Sequence, residues 1–338
     1  MAPMPSLSPD ALSTALGRGL APLYLIHGEE ALLALEAADA IRRVAGEQGY
    51  SEREVLSVES GFDWSQLTDA MTSVSLFASR KLLELRIPGG KPGTEGGEAL
   101  QRLAAAPPED TIALVLLPKL ERAQQQSKWF QALEKAAVVF HAAPVGRAEL
   151  PAWIVRRCKA QGQTLSAEAL GYFVDRVEGN LLAARQEIDK LALLFPAGEL
   201  SLAELQQAVA NVARFDVFHL STGWLAGDAA RVSRMLEGLE AEGEAPVLVL
   251  WSFSEDIRML LKLRQGLKDG RNSRDLTREL RLWGDKQRLA EPALRRIGPR
   301  RLMQALRDCA VIDQQIKGIA AGEPWQNLRN LALRLAAA

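Results

Sequence analysis

The chain has 338 residues, 48% of them hydrophobic, which is enough apolar mass for about two domains at ~150 residues each, or for three small ones. No apolar run approaches the ~20 residues that a membrane helix requires, and the first twenty residues lack the basic stretch, apolar core and small-residue cleavage site of a signal peptide. The net charge of −1 conceals an uneven distribution: residues 256–307 hold 15 Lys/Arg against 6 Asp/Glu, so the remainder is acidic on balance. Such a basic stretch suits a face near nucleic acid, where Lys and Arg displace counterions from phosphates; it suits equally a set of helices with solvated basic faces. Cys158 and Cys309 lie far apart and form no metal-ligand or redox spacing, consistent with a reduced cytoplasm.

The first ~140 residues alternate strand-like runs with helical patterns. The runs are Leu23–His27, Glu54–Val58, Lys81–Ile87, Thr111–Leu117 and Ala137–His141. TIALVLL at 111–117 is almost unbroken apolar, as expected of a strand covered on both faces of a parallel sheet. Helical stretches such as Ala31–Val44 and Ala123–Lys135 fall between the runs, so the spacing predicts an α/β layered domain. The Pro/Gly cluster Pro88–Gly97 reads as a surface loop. After residue 145 the strand signal fades. Pro151 suits the first turn of a helix, and Ser201–Glu204 has the form of a capping box. Glu178–Asn180 and Phe195–Gly198 read as stops between helices. From ~211 the pattern is helical to the end, broken at Pro246, Gly270 and Gly298–Pro299.

The first strand runs into His27-Gly28-Glu29-Glu30-Ala31-Leu32. A phosphate-binding loop needs glycines that free backbone N–H groups, a lysine against the phosphates and a hydroxyl for Mg²⁺. Here there is one turn glycine, no lysine and no hydroxyl, and two carboxylates stand where phosphates would sit. The strand at 111–117 ends in Pro118-Lys119 and not in the acidic pair that handles metal and water. In Gly89-Gly90-Lys91-Pro92 a proline replaces the hydroxyl, and no strand-to-helix context supports a nucleotide site there. His27, His141 and His219 each lack a nucleophile or ligand partner nearby and read as packing residues. The residues indicate no catalytic group, no cofactor and no metal.

Val74-Ser75-Leu76-Phe77-Ala78-Ser79-Arg80 lies between a helical stretch and the strand at Lys81. It closely resembles the clamp-binding element of bacterial DNA polymerase III delta subunits, AAA+-related members of the clamp loader that do not hydrolyse ATP. Further residues resemble the family in order and spacing: Trp64, Lys128-Trp129-Phe130, Leu150-Pro151-x-Trp153, Glu178 to Ala183, Phe215-x-x-Phe218-His219 and Trp325. Leu182 stands where ATPases of the wider family carry a phosphate-sensing arginine. The resemblance implies an α/β AAA+-like parallel-sheet domain at 1–143 with a degenerate nucleotide site, a small helical lid at 144–210 and an all-α collar at 211–338. It implies that Leu76 and Phe77, flanked by Val74 and Ser75, enter a hydrophobic pocket on the beta sliding clamp. The implied partners are that clamp, the gamma/tau and delta prime subunits, and primed DNA within the assembled loader, with no membrane contact. Trp283, among the basic residues of Arg281–Arg288, is a candidate to stack an exposed base while Lys286 and Arg288 hold phosphates; a half-buried collar tryptophan is the alternative. An active AAA+ ATPase, a delta prime subunit and a helical adaptor outside replication are the rivals. The first conflicts with the nucleotide loop, and the second with the missing zinc cysteines and Ser-Arg-Cys motif.

Overall fold

The structure is a computed structural model that describes residues 9–72, 80–209, 213 and 215–337. The chain divides into two compact units, Met1–Gly146 and Arg147–Ala338.

In the first unit α1 (Pro9–Arg18) precedes β1 (Leu23–Gly28). The chain continues through α2 (Ala31–Glu47), β2 (Glu52–Ser57), α3 (Ser65–Thr72), β3 (Lys81–Arg86), α4 (Gly93–Ala105), β4 (Thr111–Leu117), the single-turn α5 (Arg122–Gln125), α6 (Lys128–Ala136) and β5 (Val138–Ala142). The five strands pair in parallel in the order β2-β3-β4-β1-β5, with Leu25 opposite Val115 and Val139. The α/β domain with a parallel sheet expected from the sequence is therefore present. Parallel neighbours need crossover connections, and here helices supply them and bury both faces of the sheet. The central strands β1, β3 and β4 are buried almost throughout, whereas β2 at the edge alternates. On one face Leu23, Leu25, Leu83, Leu85, Ala113 and Val115 pack with Leu67 of α3, Leu100 of α4 and Phe130 of α6. The opposite face buries Tyr24, Ile26, Leu82 and Leu114, together with Ala37 and Ile41 of α2.

Two expectations change. The loop expected at Pro88–Gly97 ends at Pro92, and α4 starts at Gly93. Gly96 and Gly97 are contact glycines within this helix: a Cβ at 96 would lie 2.2 Å from the Trp64 ring, and one at 97 would lie 3.4 Å from Trp129. Glycine composition signalled a turn where the missing side chains instead admit two tryptophans. The helix expected over Ala123–Lys135 is broken at Gln126–Ser127 into α5 and α6.

The second unit begins with α7 (Leu150–Ala160), β6 (Gln163–Leu165), α8 (Ala167–Val177), α9 (Leu181–Leu194), β7 (Gly198–Leu200) and α10 (Leu202–Ala208). A 3-10 turn (Val217–His219) leads into α11 (Leu220–Ala226), α12 (Ala229–Ala241), α13 (Pro246–Lys268), α14 (Ser273–Glu279), α15 (Gly284–Arg296), α16 (Pro299–Ile316) and α17 (Pro324–Ala336). Ser201 and Glu204 cap α10 reciprocally, and Asn180 accepts from the Ala183 N–H to start α9. The parallel β6–β7 ribbon was not expected, because three residues are too few to show a period. It is sealed by the buried Gln163 side chain, which donates to the Leu191 and Phe195 carbonyls at 3.1 and 2.9 Å and so satisfies the end of α9. Residues 217–336 share one core around Trp224, Phe253, Ile257 and Leu260. Arg296 donates to the carbonyls of Trp224, Leu335 and Ala336, closing the ends of α11 and α17 together.

Candidate functional site

At the C-terminal edge of the sheet, where open α/β folds place their ligands, β1 ends on Gly28 with φ +145°. A Cβ there would lie 2.2 Å from the Ala142 carbonyl oxygen, so only glycine allows β1 and β5 to approach this closely. The next two N–H groups, those of Glu29 and Glu30, both donate to that same oxygen at 3.1 and 3.0 Å. The Glu30 carboxylate then accepts from the Leu32 N–H at 3.3 Å and becomes the N-cap of α2. Donors that a phosphate-binding loop would aim at its ligand are spent on the chain itself. Burial pushes the Glu30 pKa up, helped by Glu29 and Glu36, while the bond from Leu32 opposes the shift. Lys119, just past β4, forms an ion pair with Glu29 across this corner.

His27, one residue before Gly28, stacks on His141 with ring centroids 4.7 Å apart and meets the Phe130 edge at 5.3 Å. Burial, and secondarily His141, push its pKa down to about 4, so it adds no positive charge at neutral pH. The folded value lies below the unfolded ~6.5. The fold thus disfavours the protonated ring: the stability contribution is full above pH 6.5 and is lost as pH falls from there towards 4. Between pH 6.5 and 5 the wild-type melting temperature should decline, and that of His27→Asn should stay flat. Equal slopes for the two proteins would contradict this.

Val74, Ser75, Leu76 and Phe77 lie outside the described residues. The elements on either side are fixed. α3 inserts Leu67 and Ala70 into the core and follows Trp64, which is buried against α4. On the other side, Arg80 lies over the Tyr50 ring at 5.5 Å and donates to the Gln48 carbonyl. The buried Lys81 ammonium then pairs with Glu54 at 3.2 Å. Arg80 and Lys81 stand at the N-terminal end of β3, at the edge of the sheet opposite the Gly28 corner.

Trp283 is the N-cap residue of α15 and is 66% exposed, not half-buried. It follows Arg281, a non-glycine residue at φ 52°. Lys286 pairs at 2.8 Å with Asp256, which is 6% exposed, and Arg288 pairs at 2.8 Å with Asp285. Burial pushes the Asp256 pKa up against the opposing pull of Lys286. Much of the Lys286 charge is therefore answered within the protein. Leu182 is half exposed at the start of α9.

Two charge clusters went unread in the sequence. Glu84, on a central strand and 0% exposed, accepts from Nε and Nη2 of Arg42, twice from Arg53 and once from Arg86 at 2.6 Å, while Nη1 of Arg42 donates to Asp39. Burial alone would raise its pKa, and the hydrogen bonds from Arg42, Arg86 and Arg53 outweigh that, leaving it lowered. A single carboxylate between the leucines of KLLELRI, at an inward position, was the available signal. In the second unit, Glu178 accepts from Arg231 at 2.6 Å and from Arg147, while Asp175 accepts from Arg147 and Arg234, both at 2.7 Å. These bonds tie α8 to α12 across 53 residues of sequence.

A family model described as the DNA polymerase III delta subunit matches residues 24–143, and one for its C-terminal domain matches residues 214–323. The chain is similar to DNA polymerase III subunit delta of Escherichia coli K12, with 32% identity over 97% of this chain and 96% of that protein. For the Haemophilus influenzae protein of the same name the identity is 28%, covering 98% and 99%. Among solved structures, the Bacillus subtilis DNA clamp loader delta protein shares the fold with a TM-score of 0.52 and 21% identity, covering 96% of this chain and 98% of that one.

Proposed function

The chain belongs to the family of DNA polymerase III delta subunits, and on that premise we propose that it binds the beta sliding clamp and opens it for loading onto primed DNA, without ATPase activity of its own. The observation that carries this reading is the pairing of Leu76-Phe77, in the connection between α3 and β3, with a nucleotide corner occupied by the chain's own Glu29, Glu30 and Lys119. A Leu-Phe pair flanked by Val74 and Ser75 supplies compact apolar anchors for a partner, and a few such anchors dominate interfaces. At the Gly28 corner a nucleotide phosphate would meet carboxylates in place of backbone donors and a hydroxyl, and the one lysine there, Lys119, is already paired with Glu29.

Opening follows from binding. A ligand shifts a two-state equilibrium only by its differential affinity for the two states, so contacts that favour the open interface drive the ring apart. ATP-binding gamma/tau subunits would gate the wedge and supply the cycle. In this reading residues 144–210 form a lid and 211–338 a collar that joins the loader ring alongside gamma/tau and delta prime. Among the described residues no helix is long and apolar enough to cross a membrane, and the proposed place of work is the cytoplasm. Clamp binding by the purified chain, with Leu76 and Phe77 intact and then removed, tests the reading.

Trp283 is proposed as a DNA contact of the assembled loader, near Lys286, which is held by Asp256, and Arg288, which is paired with Asp285. A largely exposed indole can stack any base. Trp283→Ala should weaken primed-DNA binding by the loader roughly tenfold, given about 1–3 kcal/mol per stacked base. Unchanged affinity would remove this contact.

A further inference from the structure

Arg281 adopts a backbone conformation that this chain elsewhere gives to glycine. At the end of α14 the Arg281 N–H donates to the Arg278 carbonyl at 3.2 Å, and the Leu282 N–H to the Thr277 carbonyl at 2.9 Å. This pair of bonds closes a helix whose next residue is left-handed. It recurs after α2, α12, α13 and α16, where the left-handed residue is Gly49, Gly243, Gly270 or Gly318, at φ between 71° and 88°. After α14 it is Arg281, the one non-glycine residue with positive φ among the described residues. A side chain at that position crowds the following carbonyl, a cost that glycine avoids.

The turn is held without the Arg281 side chain. Leu282 is 3% exposed and seats the turn in the same core as Leu276 of α14. The Arg281 guanidinium is exposed and forms no ion pair or hydrogen bond among the described residues. A local strain carried for a side chain that the fold does not use points to a ligand.

The neighbouring charges show which kind. Arg271 is paired with Glu279, Lys286 with Asp256, and Arg288 with Asp285. Arg274 and Arg278 are exposed and, like Arg281, form no ion pair among the described residues. They stand four residues apart, which places them on one face of α14, with the buried Leu276 on the other. Asp275 is the one carboxylate between residues 271 and 288 that joins no ion pair among the described residues. The unanswered cations therefore lie along α14 and at its end, and two residues further on stands the exposed Trp283. Cations that track a backbone, next to an aromatic ring free to stack, suit a single strand of nucleic acid.

We propose that Arg281, with Arg274 and Arg278, holds the phosphates of the single-stranded part of primed DNA whose base stacks on Trp283. The inference deepens the DNA contact proposed above and rests on it. The test uses the loader assembled from this chain and the gamma/tau and delta prime subunits of the same source, with clamp and a non-hydrolysable ATP analogue present. Its affinity for a primed oligonucleotide with a single-stranded template overhang is measured by fluorescence anisotropy over about 50–200 mM salt. Arg281→Gly should weaken binding roughly three- to tenfold. It should also reduce the slope of log affinity against log salt by about 0.7, the value of one single-strand phosphate contact. The melting temperature of the chain should stay unchanged or rise by about 2–4 °C, because glycine relieves the left-handed backbone. An arginine that merely held the turn would lose stability together with binding. Arg281→Asn, neutral and tolerant of the left-handed region without the freedom of glycine, should reproduce the loss, and Arg281→Lys should recover most of the slope. Wild-type affinity and slope in Arg281→Gly would overturn the proposal, as would a lower melting temperature. So would a loss of subunit assembly in place of DNA binding, since the guanidinium would then face a protein. Trp283→Ala, measured alongside, separates the two readings. If it weakens binding and Arg281→Gly does not, the stacking contact stands and this inference falls. The reverse removes the indole and leaves the arginine contact standing, and if neither changes binding, both fall.

Discussion

The double substitution Leu76→Ala with Phe77→Ala should lower the affinity of the chain for the beta clamp by about two to four orders of magnitude and leave its melting temperature where it was. The size follows from burial: each of the two side chains contributes roughly 1.5–3 kcal/mol when taken fully out of water, and 1.4 kcal/mol corresponds to a tenfold change in affinity. The unchanged melt follows from what surrounds the segment. α3 is secured by Leu67 and Ala70, Trp64 by its seat against Gly96, and β3 by its parallel pairing with β2 and β4. None of these contacts requires Leu76 or Phe77. Titration calorimetry against the clamp and a thermal melt check the two halves separately. A variant that binds normally removes Leu76 and Phe77 from the interface; one that unfolds makes them core residues of the first unit.

The largest effect on stability should come from Glu84. Its carboxylate lies fully buried between Arg42, Arg53 and Arg86. Removing one partner of a buried ion cluster strands the others, at about 3–5 kcal/mol. Glu84→Ala leaves three guanidinium groups around a cavity, with the Arg42 side chain only 18% exposed. For a domain of this size about 1 kcal/mol corresponds to some 2–4 °C, so the melting temperature should fall by about 10 °C. Acid should mimic the substitution. Because the folded pKa is lowered, the contribution of Glu84 is present above the unfolded carboxylate value of ~4.3 and disappears as pH falls through the folded one. A melt within 2–3 °C of wild type, on the order of 1 kcal/mol, would mean that solvent reaches the arginines and that the cluster carries little stability.

The sheet was legible in the sequence because its centre is simple chemistry. TIALVLL and LYLIH are apolar runs whose two faces are both covered, and all five strand runs appear in the structure. The helix ends at Pro151, Asn180, Ser201, Pro246 and Pro299 were legible because proline and capping residues act within one turn. What stayed hidden depends on distant partners. Gly96 and Gly97 read as a loop until Trp64 and Trp129 are seen against them. Gln163 looks like a surface residue until its amide meets two carbonyls of α9. Arg231 gives no local sign that it serves Glu178, 53 residues earlier. At the Gly28 corner, two glutamates in the loop gave the electrostatic argument, but only the geometry shows both of their N–H groups turned onto Ala142. Lys286 was read as a cation for phosphate because the sequence could not reveal that the buried Asp256 faces it.

The central claim is that binding alone shifts the clamp towards its open form. The direct measurement is the affinity of the purified chain, with no nucleotide present, for two forms of the clamp: the closed ring, and a single clamp subunit whose ring interface has been disrupted by substitution. Binding to the single subunit should be tighter, by about tenfold or more, because the free energy spent on opening the ring no longer opposes the contact. Equal affinity for the two forms would contradict it.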